Sequence, residues 1–524
     1  MTAPADLVLT NAAVHTLAEP DEVHEAVAVR DGRVVRVDSA YEVRFLEGAD
    51  TRVIDLDGGV VLPGFVDAHT HLPMVGRSLV HADLSAAGSP AEAISLLRES
   101  ADDGDAEGPI LGYGYDESAW EEARYLTRED LNAVSAERPV VAFREDMHTA
   151  SLNSVALSRF VGEMPDGDVR REGGEPTGVV VEEAVDVLYA AVEPDAEGMR
   201  RLIEAARDRA HELGVTGIHD MVRKSAAPAV YRDLDAEGAL DLRVRINYWS
   251  DHLDSLVDLG ERTNFGSDLV RTGAVKSFTD GSFGARTAKL SEPYRGTEED
   301  GQWVVPSEEL DELVARADGA GLQFTAHAIG DDAIEAVLDA YAESAGRRGR
   351  APGTGTGSAD ARHRVEHAEL LRDDLIERLA DLGVVASVQP NFLKWAREGG
   401  LYEDRLGRER ARETNRYRDL LDAGVPLAFG SDCMPMDPLF GVQQAVTAPD
   451  ERQRLTVTEA LRAYTSGAAY AGFDEHRLGT IEVGKRADLT VLARSPWEVD
   501  PSAIADVEVT HTVVDGRVVY EREN

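Results

Sequence analysis

Strand-like apolar segments recur along residues 60–432, and amphipathic stretches separate several of them. The strand candidates are "VVLPGFVDAH", "PVVAFRED", "GVTGIHDM", "GAVKSFTD", "LQFTAHAI", "RHRVEHAE", "GVVASVQP" and "VPLAFGSD". Among the intervening stretches, "SEELDELVARADGAG" and "DDLIERLADLG" place apolar residues at helical spacing. Strand, helix and strand in series implies a parallel sheet. Eight such strands predict an α/β fold, a (β/α)₈ barrel of the TIM type, for which about 250 residues is typical. A doubly wound open sheet is the alternative.

The two ends read differently. Residues 1–60 alternate as strands, with Asp31-Gly32 between apolar runs, a strong hairpin signal. The C-terminus repeats the style, with Asp515-Gly516 in "VTHTVVDGRVVYERE". This predicts one small composite β-sandwich built from residues 1–60 and 478–524, bracketing a barrel over 61–477. Residues 78–199 exceed what one or two βα units need, and are read as a lobe inserted over the barrel mouth.

A chain of 524 residues is too long for one compact core but suits a large barrel with a smaller domain. No run of 18 apolar residues is present, so no membrane span is expected. The N-terminus lacks a basic start and an apolar core, which predicts a cytoplasmic location. Cys433 is the sole cysteine, so no intrachain disulfide can form. Aspartate and glutamate total 98 against 54 lysines and arginines, a net charge of -44 spread along the chain. Such a field repels nucleic acid and anionic membranes. Lysine occurs only at positions 224, 276, 289, 394 and 485. An acidic, lysine-poor chain suits concentrated salt, where screening tames self-repulsion, so a halophilic protein is expected.

His69 and His71 stand at i and i+2 at the end of the first strand, so both imidazoles face one side. Barrel enzymes carry their working residues at the C-terminal strand ends. Those ends supply, besides the two histidines, Lys276, His327, His367 and Asp432, expected on strands four, five, six and eight. Four histidines with a carboxylate can hold two divalent ions. An ammonium cannot ligate a cation, so Lys276 would join only as a carbamate formed with CO₂. His219 and Asp220 would end the third strand. Glu366, beside His367, would point away from the site and serve the structure. Trp120 and Trp395 are read as core packing, with a pocket wall as the alternative.

The stretches "VLPGFVDAHTHL", "VKSFTDGSFGARTA", "FTAHAIGDDAI", "HRVEHAEL" and "FGSDCMPMDP" resemble the amidohydrolase superfamily. "LGYGYDESAW", "DMHTASLNSVAL" and "GEPTGVVVEEA" narrow the resemblance to its YtcJ-like branch, which includes N-substituted formamide deformylases. The resemblance implies His69 and His71 on the more buried metal, carboxylated Lys276 as the bridge, and His327 and His367 on the second metal. Asp432 would ligate metal and act as general acid and base in cleaving a non-peptide C–N bond of a small amide. Two Zn²⁺ ions are expected, with Fe²⁺ or Mn²⁺ as alternatives. Asp146, His148, His219, Asp280 and Arg286 are candidate substrate contacts, and a homodimer is a family-level expectation. Two other readings stand beside this one: a metal-dependent deaminase of a heterocycle, and a non-catalytic metal-binding regulatory protein.

Overall fold

The computed structural model describes residues 3–103, 108–117, 120–145, 149–347 and 361–523. Eight parallel strands form its central sheet: β1 (Phe65–Thr70), β2 (Val215–Val222), β3 (Arg243–Trp249), β4 (Val270–Phe278), β5 (Gln323–Ala328), β6 (Arg364–His367), β7 (Val385–Val388) and β8 (Leu427–Phe429). Each pairs with the next in chain order. The ring closes just past β8, where the amides of Ser431 (3.1 Å) and Asp432 (2.7 Å) both donate to the carbonyl of His69. The predicted barrel is the observed one, and its closure seats Asp432 beside His69.

One strand differs from expectation. Val140–Arg144 is not in the barrel; it belongs to a separate six-stranded sheet, between Ile110–Tyr115 and Thr149–Leu152. The barrel takes β3, "RVRINYW", in its stead. The reason is polar occupancy. Arg243, Arg245 and Asn247 are all at most 5% exposed, so β3 is buried on both faces although its sequence alternates polar and apolar residues instead of forming the apolar run of a buried parallel strand. Val140–Arg144 is apolar and buried within its own sheet, and so imitates a barrel strand. His219 and Asp220 consequently lie on the second strand, not the third.

"VVLPGFVDAH" divides at Gly64. Val60–Pro63 pairs antiparallel with Leu489–Leu492 in the sheet shared by both chain ends, and the barrel strand starts at Phe65. A Cβ on Gly64 would come within 2.3 Å of the Thr216 hydroxyl, so the chain passes from one sheet to the other only as glycine. That shared sheet runs Arg517–Glu521, Val509–Val514, Leu489–Leu492, Val60–Pro63, Ala13–His15, Val23–His24. A four-stranded sheet faces it, and Leu9, Val27, Val29, Val61, Leu489 and Val513 fill the core between them. Asp31 and Gly32 both have positive φ (51° and 71°), as do Asp515 and Gly516 (50° and 76°). These are the paired left-handed residues of a type I′ hairpin turn, as the two Asp-Gly pairs predict.

Two compact units result: Met1–His71 with Asp208–Lys224 and Tyr231–Asn524, and Leu72–Arg207 with Ser225–Val230. The second unit contains the six-stranded sheet and two apolar clusters. In it Tyr113 stacks on Phe143 at 4.9 Å, and Trp120 is buried against Tyr115. Among the described residues, no helix is long and apolar enough to cross a membrane.

Candidate metal centre

β1 delivers His69 and His71 to the C-terminal end of the barrel, and the turn after β8 delivers Asp432. Nε2 of His69 and Nε2 of His71 lie 3.5 and 3.4 Å from the same oxygen, Oδ1 of Asp432. The three side chains offer ligand atoms all within 4.8 Å of one another, a group that can hold a metal ion. Their remaining nitrogens are already engaged. Nδ1 of His69 sits 2.6 Å from Oε2 of Glu366, and Nδ1 of His71 sits 3.1 Å from the Met221 carbonyl. A proton on each Nδ1 makes both bonds and leaves each Nε2 lone pair free, the tautomer a metal ligand needs.

The other three candidates gather at the same place. The His367 ring centroid is 5.1 Å from that of His69 and 4.4 Å from that of His327. Nδ1 of His367 is buried without a hydrogen-bond partner among the described residues, a lone pair or donor that a protein rarely leaves unused. Nε2 of His327 points at the Gly281 carbonyl, 2.9 Å away. Lys276 is 1% exposed, and its Nζ lies 5.3 Å from the Phe278 ring centroid. A donor set of imidazoles and a carboxylate, with its outer nitrogens already hydrogen-bonded, fits a divalent cation.

The electrostatics follow from burial. Lys276 is pushed down to about 8, because burial outweighs the carboxylates Glu366 and Asp432. Burial, aided by the Lys276 charge, lowers His327 to about 3, so its imidazole is neutral. Burial also pushes the Asp432 carboxyl up, but His69, His71 and Lys276 together outweigh it and hold it at about 2. His367 and Asp432 both adopt positive φ, at 72° and 51°. Left-handed backbone is uncommon for residues with a side chain and clusters at functional sites.

Glu366 departs from expectation. It points into the barrel, not away, and is fully buried. Besides His69, it accepts from the Thr325 hydroxyl and pairs with Arg364 at 2.7 Å. Arg364, His69 and Lys276 hold its carboxyl well below the usual range, against the upward push of burial. Strand alternation misplaced it because the positive φ of His367 and Ala368 takes the chain out of the pleat. The legible signal was Arg364 and Glu366 themselves, opposite charges at i and i+2, and so on one face, of a short strand.

Of the remaining candidates Asp280 lies beside the centre, its Oδ1 3.6 Å from Nε2 of His327, and the others stand apart from it. Asp280 is fully buried, and its two oxygens accept amides of Lys289 (2.8 Å), Ile329 (3.1 Å) and Gly330 (2.8 Å). It ties the loop after β4 to the loop after β5. His219 accepts from Arg364 (2.9 Å) through Nδ1, on the side of Arg364 away from Glu366, and lines a cavity at the N-terminal end of the barrel. Arg286 sits in the turn after β4, with its Nε buried and unpartnered among the described residues. Asp146 and His148 lie outside the described residues. Trp395 is partly buried beside Phe392 (4.7 Å), whose ring lies parallel to His367 at 6.1 Å.

A family model described as "Amidohydrolase family" matches residues 52–520. The Bacillus subtilis (strain 168) protein YtcJ is 32% identical, covering 97% of this chain and 98% of its own. The N-substituted formamide deformylase of Arthrobacter pascens is 29% identical over 100% of this chain and 99% of its own. A crystal structure of an uncharacterized metal-dependent hydrolase from Pyrococcus furiosus superposes with a TM-score of 0.79 at 31% identity, over 94% of this chain and 100% of that one. This chain belongs to the amidohydrolase family, in its YtcJ-like branch, and is a hydrolase acting on carbon–nitrogen bonds.

Proposed function

We propose that this protein hydrolyses the C–N bond of a small N-acyl or N-formyl compound at a centre held by His69, His71, Lys276, His327, His367 and Asp432. The carrying observation is the convergence of Nε2 of His69 and Nε2 of His71 on Oδ1 of Asp432, at 3.5 and 3.4 Å. A divalent cation, Zn²⁺ or else Fe²⁺ or Mn²⁺, supplies positive charge when bound, lowering the pKa of water from about 16 to about 7 and stabilising charge on a carbonyl oxygen. Asp432, held at about 2, is a carboxylate at neutral pH. It takes the proton of the attacking water and returns it to the leaving nitrogen, so the products are an amine and a carboxylate. The net charge of -44 favours a small molecule over nucleic acid as the partner.

Lys276 serves in this reading as a carbamate. The reaction needs the free amine, whose lone pair attacks CO₂ with loss of one proton to solvent. With its pKa at about 8, roughly one lysine in ten is neutral at pH 7. The resulting oxyanion would bridge two cations.

A panel of N-formyl and N-acyl amines, incubated with metal-reconstituted enzyme in high salt, tests the reading. Equimolar release of amine and carboxylate is expected, falling about 10²–10⁴-fold in Asp432→Asn. Ammonia released from heterocycles, with no amine from the panel, would assign a deaminase instead. In Lys276→Ala, unchanged metal content would rule out the carbamate bridge.

A further inference from the structure

Towards the end of the barrel opposite the ligands, residues 217–219 of β2, the first residues of β3 and residues 269–271 at the start of β4 line a half-open cavity of about 20 Å³. Its wall carries four guanidiniums, Arg243, Arg245, Arg271 and Arg477, and one carboxylate, Asp474. Asp474 is shared three ways: it accepts from Arg245 (2.7 Å), Arg271 (3.2 Å) and Arg477 (2.7 Å). Arg243 is answered by Asp488, at 2.5 and 2.8 Å. Behind the wall, Arg486 pairs with Asp268 and Asp515, and Asp268 also meets Arg477 at 3.4 Å. Five guanidiniums thus face four carboxylates, while Arg364 and Glu366 cancel. His219 adds no charge, since its Nδ1 accepts from Arg364.

The cluster therefore holds one positive charge too many, and also one donor too many. Arg245 is 3% exposed, and its Nε has no hydrogen-bond partner among the described residues. A buried N–H without an acceptor is costly, and the excess of guanidiniums leaves the cluster net positive where Arg271, 19% exposed, meets solvent. Water in the cavity would answer the donor but not the charge. A cation is repelled. A single-atom anion suits a space of this size.

We propose that this cavity is a binding site for a small monovalent anion of the halide class, held by Arg245, Arg271 and Arg477 at the floor of the barrel. The site is separate from the metal centre, and Arg364 and Glu366 stand between the two. One anion neutralises the cluster and accepts from Nε of Arg245.

Crystals of the metal-loaded protein grown in molar sodium bromide, measured at the bromine edge, test the assignment directly. An anomalous peak in the cavity, within hydrogen-bond reach of Nε of Arg245, is expected. Water or empty density there, or bromide at the metal centre alone, overturns it. In solution, Tm is compared in sodium chloride and sodium gluconate at one ionic strength, gluconate being too large for the cavity. Wild type is expected to melt higher in chloride, and Arg271→Gln, which removes the surplus charge, is expected to lose that difference. An equal chloride response in both proteins overturns the proposal, and the bromide experiment stands even if the variant does not fold.

Discussion

Oε2 of Glu366 lies 2.6 Å from Nδ1 of His69, and solvent reaches neither side chain. The contact decides which nitrogen of His69 keeps its proton and which faces Asp432. Outer partners of this kind orient the ligand and raise its basicity. Glu366→Gln keeps the shape, weakens the anchor and leaves Arg364 without its buried counter-charge. Metal affinity, measured by competition with a chelator, is expected to drop about 10–100-fold. Unchanged affinity in a folded variant would remove Glu366 from the centre.

Gly430 permits the closure of the barrel. A Cβ there would meet the His69 amide nitrogen at 2.4 Å and the His69 Cβ at 2.7 Å, backbone that cannot swing away. Gly430→Ala is therefore expected to push β8 off β1, separating Asp432 from the histidine pair. Loss of metal together with a lower Tm is the expected result, read by metal analysis and calorimetry. Overpacking of a tight site costs about 1–3 kcal/mol. Full metal content at wild-type Tm would mean the two strands tolerate the methyl.

Lys276 makes a prediction in metal-free protein. Its folded pKa, about 8, lies below the ordinary lysine value of 10.5, so the folded state binds the proton less tightly than the unfolded one. Charging it in the fold costs on the order of 3 kcal/mol below pH 8, and this cost vanishes as pH rises towards 10.5. Wild type should gain stability relative to Lys276→Met across that window, and show a constant difference below it. Parallel denaturation midpoints from pH 7.5 to 10.5 would refute the burial of a charged lysine.

Salt provides a further check. A net charge of -44 repels itself, and screening at molar salt shortens the range of that repulsion to about 3 Å. Circular dichroism and activity are expected to be retained in concentrated potassium chloride and lost in dilute, metal-supplemented buffer. Full fold and activity in dilute buffer would end the halophilic reading.

Much of the molecule is legible in one dimension because its signals are local. The Asp-Gly pairs at 31–32 and 515–516 specify turns through their own backbone preferences. His69 and His71 share a face because a strand has a period of two. Lys276, His327, His367 and Asp432 draw notice by standing at or near the ends of strand-like segments. What tertiary structure alone decided is everything set by partners far along the chain. β3 hid because its buried arginines are answered by Asp474 and Asp488, more than 200 residues away in sequence. Glu366 hid because the positive φ of His367 ends the pleat one residue sooner than alternation assumes. Val140–Arg144 was mistaken for a barrel strand because burial in any sheet selects the same apolar residues, and only pairing tells one sheet from another. Local chemistry is written in the residue itself, whereas a buried charge becomes tolerable, and so intelligible, only through the countercharge that the fold brings to it.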